Sequence, residues 1–248
     1  MLKHLELKPN KQGCKGNKIT MTNKNKGMMK EFTQKDLASL ANQLSCPSGT
    51  SGIEVGNKMH QTNISMTQKA LEAAQILSNQ VVLELGHGNA AHLEQILAKA
   101  QGVTYHGLDV SETMYEQAQK LNKEFVEVQK AKFSLYDGTN IPYDVATFDK
   151  IITVNTIYFW QQPAQLVREL YRVLKPQGSL SIAFAQKSSM ESLPFTKYEF
   201  ALYDTDTVTE LLEKERFRVV NVVDQYEQIN SKIEGLNERD FTVVTVQK

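Results

Sequence analysis

Apolar and polar residues along this chain fall into blocks whose period changes several times. Val81-Val82-Leu83-Glu84-Leu85 is a short, nearly continuous apolar run, the pattern of a strand buried on both faces, and it stops at Gly86-His87-Gly88. Residues 90–100 then have helical character. A second strand is predicted over residues 103–108, ending at Asp109, and a helix over 111–121 with Met114, Ala118 and Leu121 on one face. Further strand-like runs occupy residues 132–136, 150–154 and 180–184. Between the last two lies an amphipathic helix over 164–174, closed by Lys175-Pro176-Gln177-Gly178. The final runs, 217–223 and 241–246, have no helix-length segment between them, which permits antiparallel pairing. The expected sheet therefore has seven strands, six parallel and one reversed, with helices on both faces. Upstream, residues 64–79 read as a helix carrying Leu71, Ala74 and Leu77. Residues 31–63 read as a short helix, the turn-forming run Cys46-Pro47-Ser48-Gly49-Thr50-Ser51-Gly52, and a second short helix near 55–60.

Composition narrows the class. The chain has 248 residues, 41% of them apolar and 23% charged, an ordinary soluble-protein balance. Its 28 basic and 28 acidic residues leave no net field to attract nucleic acid or an anionic membrane, so neither is expected as a partner. The balance is uneven, because residues 1–30 carry eight Lys against Glu6 alone and read as a disordered basic tail. Two cysteines, Cys14 and Cys46, suit neither a disulfide framework nor a metal cage, which fits a cytoplasmic protein without a metal site. No apolar run approaches the roughly 18 residues that a membrane span requires.

The chemistry concentrates behind the first strand. Gly86-x-Gly88-x-x-Ala91 opens a helix after a strand, and Asp109 follows Gly88 by 21 residues, near the spacing at which an acid accepts from ribose hydroxyls. The glycine pattern alone equally marks a tight strand-to-helix turn. Glu84 discriminates between adenosine cofactors. A carboxylate two residues before Gly86 repels a pyrophosphate and disfavours NAD, whereas S-adenosylmethionine carries a sulfonium and an ammonium that such a carboxylate attracts. The plainer reading of Glu84 is a strand-end acid near a helix N-terminus.

These residues resemble those of the class I S-adenosylmethionine-dependent methyltransferases. The first motif of that family is matched by Glu84-Leu85-Gly86-His87-Gly88-Asn89-Ala90, with Ala90 in place of a third glycine. The second is matched by Gly107-Leu108-Asp109-Val110-Ser111-Glu112-Thr113-Met114. Asp137-Gly138, Phe148-Asp149-Lys150-Ile151 and Arg172-Val173-Leu174-Lys175-Pro176-Gln177-Gly178 are similar to three further signatures. The resemblance implies a Rossmann-like sheet, and a cofactor held by Glu84, Gly86, His87 and Gly88. Asp109 would hold the ribose, with Val110 beside it and Met114 packed on the adenine. Asp137 would accept from the adenine amino group while the backbone of Gly138 approaches the ring. Residues 31–79 would form a helical N-terminal cover and 80–248 the cofactor-binding domain.

Methyl transfer needs alignment and exclusion of water more than an elaborate catalytic set. The fourth strand ends in Val154-Asn155-Thr156-Ile157-Tyr158-Phe159-Trp160. Asn155 and Tyr158 match the ends of the family's Asn-Pro-Pro-Tyr tetrad, but Thr156 and Ile157 replace both prolines, which argues against nucleobase or glutamine substrates. The expected acceptor is a small molecule, with Asn155 and Tyr158 as polar contacts, Asn155 also bordering the cofactor, and Phe159 and Trp160 as walls. His60 is a candidate base. His92 and His106 read as structural or surface residues. Tyr198 and Tyr203 are expected to line the acceptor side. An NAD-linked oxidoreductase and a non-catalytic S-adenosylmethionine-binding module are the competing readings.

Overall fold

Each strand-forming run of the sequence pairs into one sheet, and the order of pairing creates the crevice in which a site can form. The computed structural model describes residues 32–229 and 238–248. The Lys-rich leader, with Cys14, lies outside the described residues. In chain order the elements are helices α1 (Gln34–Ser45) and α2 (Gly49–Ala74), strand β1 (Val81–Leu85), helix α3 (Leu93–Leu97) and strand β2 (Thr104–Asp109). Helices α4 (Glu112–Leu121) and α5 (Lys123–Glu127) precede strands β3 (Ala131–Leu135) and β4 (Phe148–Val154), then come helix α6 (Pro163–Val173) and strand β5 (Leu174–Ala185). Helices α7 (Lys187–Met190) and α8 (Thr205–Lys214) lead to strands β6 (Arg218–Gln228) and β7 (Glu238–Gln247).

The sheet has the order β3-β2-β1-β4-β5-β7-β6. Neighbouring strands are parallel except that β7 runs against both β5 and β6, so it is the reversed strand expected of the last two apolar runs. The chain steps outward from β1 through β2 to β3 and then crosses to β4 on the other side of β1. At such a reversal the connections leave in opposite directions and open a crevice beyond the carboxyl ends of the strands. Side-chain alternation divides the core between two faces. Leu83, Leu85, Ile151 and Ile182 pack with α6 and α8. Val82, Tyr105, Ile152 and Val243 pack with α2, α3 and α4.

The largest departure from the sequence reading is α2. Instead of a turn and two helices, residues 49–74 form one helix of 26 residues. Gly49 keeps a left-handed turn conformation at the helix start, while Gly52 and Gly56 serve packing. A Cβ at Gly52 would fall 2.7 Å from the Pro47 carbonyl carbon, and one at Gly56 would fall 2.5 Å from Met114 Sδ. The helix stops at Ala74 because Gln75 turns left-handed, at φ 48°. Two further bonds tie the start of α2 to α4. Ser111, the N-cap of α4, donates to Pro47 O, and Gly49 N donates to Thr113 Oγ1 at 3.1 Å. The helix expected over 90–100 shortens to α3, since Ala90 also adopts a left-handed conformation, at φ 48°. Among the described residues no helix is long and apolar enough to cross a membrane.

The carboxyl-terminal half of α2 is core. Met66 and Ala70 are fully buried and Leu71 nearly so, while Gln68 faces outward. Leu71→Ala is expected to cost about 2–5 kcal/mol of unfolding free energy in a urea titration. Gln68→Ala is expected to stay within about 0.5 kcal/mol of the parent.

Candidate active site

One pocket occupies the crevice, and its floor is the turn between β1 and α3. Gly86 and Gly88 both have left-handed backbones, with φ of 72° and 57°. A side chain at Gly86 would overlap Thr156 Cγ2, whereas Gly88 faces open space. Gly86 therefore lets Thr156 pack against the turn, and Gly88 presents bare backbone to the pocket. At the end of β2, Asp109 accepts from Gly88 N through Oδ2 and from Ser111 N through Oδ1, each at 2.9 Å. These bonds fix a carboxylate on the pocket wall beside the glycines. Val110, Met114 and Gly138 continue that wall.

Glu84 faces the same pocket but is committed elsewhere. It is 3% exposed, and both its oxygens lie 2.9 Å from Nε2 of His92, which is 5% exposed. The Tyr105 hydroxyl donates to Oε2 at 2.6 Å. Burial pushes the carboxyl upward, but His92 and the two hydrogen bonds outweigh it and hold Glu84 below its usual value. In His92 burial acts downward, and the facing carboxylate overcomes it and raises the imidazole above its usual value. The negative charge that the sequence argument assigned to a cofactor is thus balanced inside the protein. Asp109 has no cationic side-chain partner among the described residues. His92 is a buried partner of Glu84, not a surface residue. The signal lay in the chain: a carboxylate at the end of a buried strand demands a counter-group.

Other predicted residues are redistributed. Asp137 is exposed and accepts from Thr139 N, Asn140 N and the Asn140 side-chain amide, closing its own turn instead of reaching the pocket wall. Gly138 does line the pocket. His87 is buried under the turn, with Nδ1 2.7 Å from Gly88 O and its ring edge-on to Phe133. Its Nε2 is buried without a hydrogen-bond partner among the described residues. Ala90 faces the core, so the missing third glycine costs backbone strain of about 1–2 kcal/mol instead of crowding the pocket.

At the other end, Asn155 and Tyr158 come together but spend their polar atoms on each other and on the fold. Asn155 is left-handed, at φ 56°. Its amide donates to Asn63 Oδ1 at 3.0 Å and to Met66 Sδ at 3.3 Å, and its oxygen accepts from Tyr158 and from Ala185 N. The Tyr158 hydroxyl also bonds to the backbone of Ala185. Neither matches the open polar contact expected of it. Behind them stands Arg239, 3% exposed, which the sequence reading missed. It donates to Asn63 Oδ1, Thr62 O and Glu227 Oε1, joining β7 and β6 to α2. Phe195 and Phe200, not Tyr198 and Tyr203, line this side with Phe159 and Trp160.

His60 projects from α2 into the same pocket. Its ring stacks on that of His92 with centroids 5.8 Å apart and planes 13° from parallel. Its nitrogens have no hydrogen-bond partner among the described residues. Burial, and then the His92 charge, lower its pKa, with Glu84 opposing. His106 lies apart, 3.0 Å from the Tyr143 hydroxyl, and is structural. Among the described residues no cluster of side chains suits a metal ion.

Residues 83–182 match the family model of the methyltransferase domain. An uncharacterized methyltransferase, YdaC of Bacillus subtilis, is 28% identical over 144 residues, which cover 57% of this chain and 76% of that protein. The methyltransferase GfsG of Streptomyces halstedii is 31% identical over 119 residues, 48% of this chain but only 42% of that protein. Among solved structures, a SAM-dependent methyltransferase from Aquifex aeolicus superposes with a TM-score of 0.60 at 20% identity, covering 84% of this chain and 97% of that one.

The Glu84–His92 pair makes one sharp prediction. His92→Ala strands a buried carboxylate and is expected to cost about 3–5 kcal/mol in urea unfolding. Replacing Glu84, His92 and Tyr105 together by Met, Leu and Phe is expected to recover most of that loss, because it removes the charge along with its partners.

Proposed function

We infer, from the membership of this chain in the class I S-adenosylmethionine-dependent methyltransferases, that its pocket methylates a small-molecule acceptor carrying a protonated oxygen or nitrogen nucleophile. The observation that carries this reading is an aromatic chamber beside the glycine turn into which one unpaired imidazole, His60, projects. The residues present fit the cofactor. The bare backbone of Gly88 leaves room along the turn, and Asp109 offers a fixed carboxylate beside it to ribose hydroxyls. His87, whose buried Nε2 is unsatisfied, borders the same turn. When bound, S-adenosylmethionine supplies an electrophilic methyl group attached to a sulfonium.

The protein's part is to orient and to keep water out. Phe159, Trp160, Phe195 and Phe200 give the acceptor an apolar enclosure, in which alignment of reactants is worth about 7–11 kcal/mol. Asn155 and Tyr158 act on the reaction by holding the end of β4 and Asn63 in place, since their own polar groups are engaged. His60 accepts the proton that the nucleophile gives up. Residues 32–79 form a cover whose far end is rooted in the core, and residues 80–248 carry the cofactor turn. Glu84 supports the turn through His92 and Tyr105 instead of touching the donor.

Calorimetry with S-adenosylhomocysteine tests the cofactor end. Asp109→Asn is expected to weaken binding about tenfold or more, the worth of charge-assisted hydrogen bonds, and Asp137→Asn to leave it unchanged. Release of S-adenosylhomocysteine across a panel of small phenols, alcohols and amines tests the acceptor end. His60→Gln is expected to lower kcat by about 10²-fold or more on any acceptor that turns over. Tight binding with no turnover on the whole panel would instead support a binding module.

A further inference from the structure

We propose that His92, anchored by Glu84, is a positioning residue that keeps His60 in its neutral, proton-accepting form. The inference rests on the reading of His60 as the base, and it concerns residues that do not themselves touch the acceptor.

The geometry supplies the device. His92 is fixed by a carboxylate that contacts its Nε2 with both oxygens, and Tyr105 fixes that carboxylate in turn. All three are buried, so water does not screen the charge on His92. The ring so fixed lies parallel to His60 with centroids 5.8 Å apart. A proton arriving on His60 in the resting protein would therefore place two imidazolium rings face to face.

The other groups around His60 do not undo this. Glu84, from β1, pulls a proton toward His60, but less strongly than His92 repels one, and burial acts with His92. On the pocket wall, Asp109 is engaged by two backbone amides of its own. Arg239, from β7, is a second cation on the same pocket and is paired with Glu227. His87 is turned toward Gly88 and Phe133. On α2 itself, Lys58 lies two residues away and carries a further positive charge.

The arrangement also balances charge over a turnover. The acceptor loses a proton to His60 as it gains a methyl group, so the pocket exchanges the positive charge of the donor for that of the imidazolium. His92 opposes protonation of His60 before the acceptor arrives, when it would disable the base. The same repulsion then favours passing the proton on to solvent.

The test is a histidine titration by NMR on the full chain labelled at its imidazoles, with no cofactor or acceptor present and with His60 assigned by its loss in His60→Gln. In the parent protein His60 is expected to titrate below the ordinary value of about 6.5, and His92 to remain protonated above it. In His92→Gln, the His60 midpoint is expected to rise by about one pH unit. The proposal is overturned if His60 titrates at the same pH with and without the imidazole at 92. It is overturned equally if His92 of the parent loses its proton before His60 as pH rises, a result that needs no variant to fold. Full turnover by His60→Gln alongside the expected titrations would reject the base role and leave the electrostatic coupling standing.

Discussion

A carboxylate buried at the end of β1 has to be neutralised where it stands, and the way this is done organises the whole crevice. Leaving Glu84 unpaired would cost several kcal/mol. Tyr105 meets it from the neighbouring strand, two positions before the residue in register with Glu84 and so on the same face of the sheet. His92 meets it from the end of the glycine turn. Two ends of the turn are thus pinned by one charge: the strand carries Glu84 and the far side carries its counter-ion. The left-handed glycines between them have a fixed span to cover, which holds their backbone against the pocket. Asp109 takes its place through the amide of Gly88, so the geometry of the neighbouring wall descends from the same pair.

The other organising element is α2. Its carboxyl-terminal end is core, packed on the sheet through Met66, Ala70 and Leu71, and the turns before it carry Met59, His60 and Asn63 over the pocket. A residue such as His60 therefore sits on a rod whose other end cannot move without disturbing the fold. Asn63 extends this rigidity sideways. It receives Arg239 and Asn155 on a single oxygen, linking the last strand to the end of β4. The polar residues at the β4 end of the pocket are for the most part structural braces, and the ring on α2 is what they leave facing the cavity.

Much of this was legible in the sequence, and the boundary between what was and was not follows the range of the interactions. The strand-turn-helix of residues 81–97, the acid closing the second strand and the reversed last strand are local patterns of period, glycine placement and segment length. The partners of Glu84 and the role of Arg239 are contacts across the fold; Arg239 and Asn63 are 176 positions apart. Nothing periodic announces them. Asp137-Gly138 illustrates the converse limit, since a short acid-glycine pair reads equally as a ligand contact and as a self-closing turn, and the carboxylate took the turn. Gly52 misled for a related reason: its turn propensity is real, but close packing of Gly52 against Pro47, like that of Gly56 against Met114, recruits small residues into a helix.

The continuity of α2 bears on how the chamber is entered. With no joint between Gly56 and Met66, the roof cannot swing open like a lid on a loop. Beside it, α1 and the elbow at Cys46–Ser48 are held to the body by the Pro47 carbonyl on Ser111, by Gly49 on Thr113, and by apolar side chains such as Leu37, Leu40 and Leu44. Ser111 also caps α4, and its backbone N–H donates to Asp109, two residues earlier, on the pocket wall. The fastening of the elbow and the wall that carries Asp109 therefore share the same few residues of backbone, so a shift in one is felt in the other.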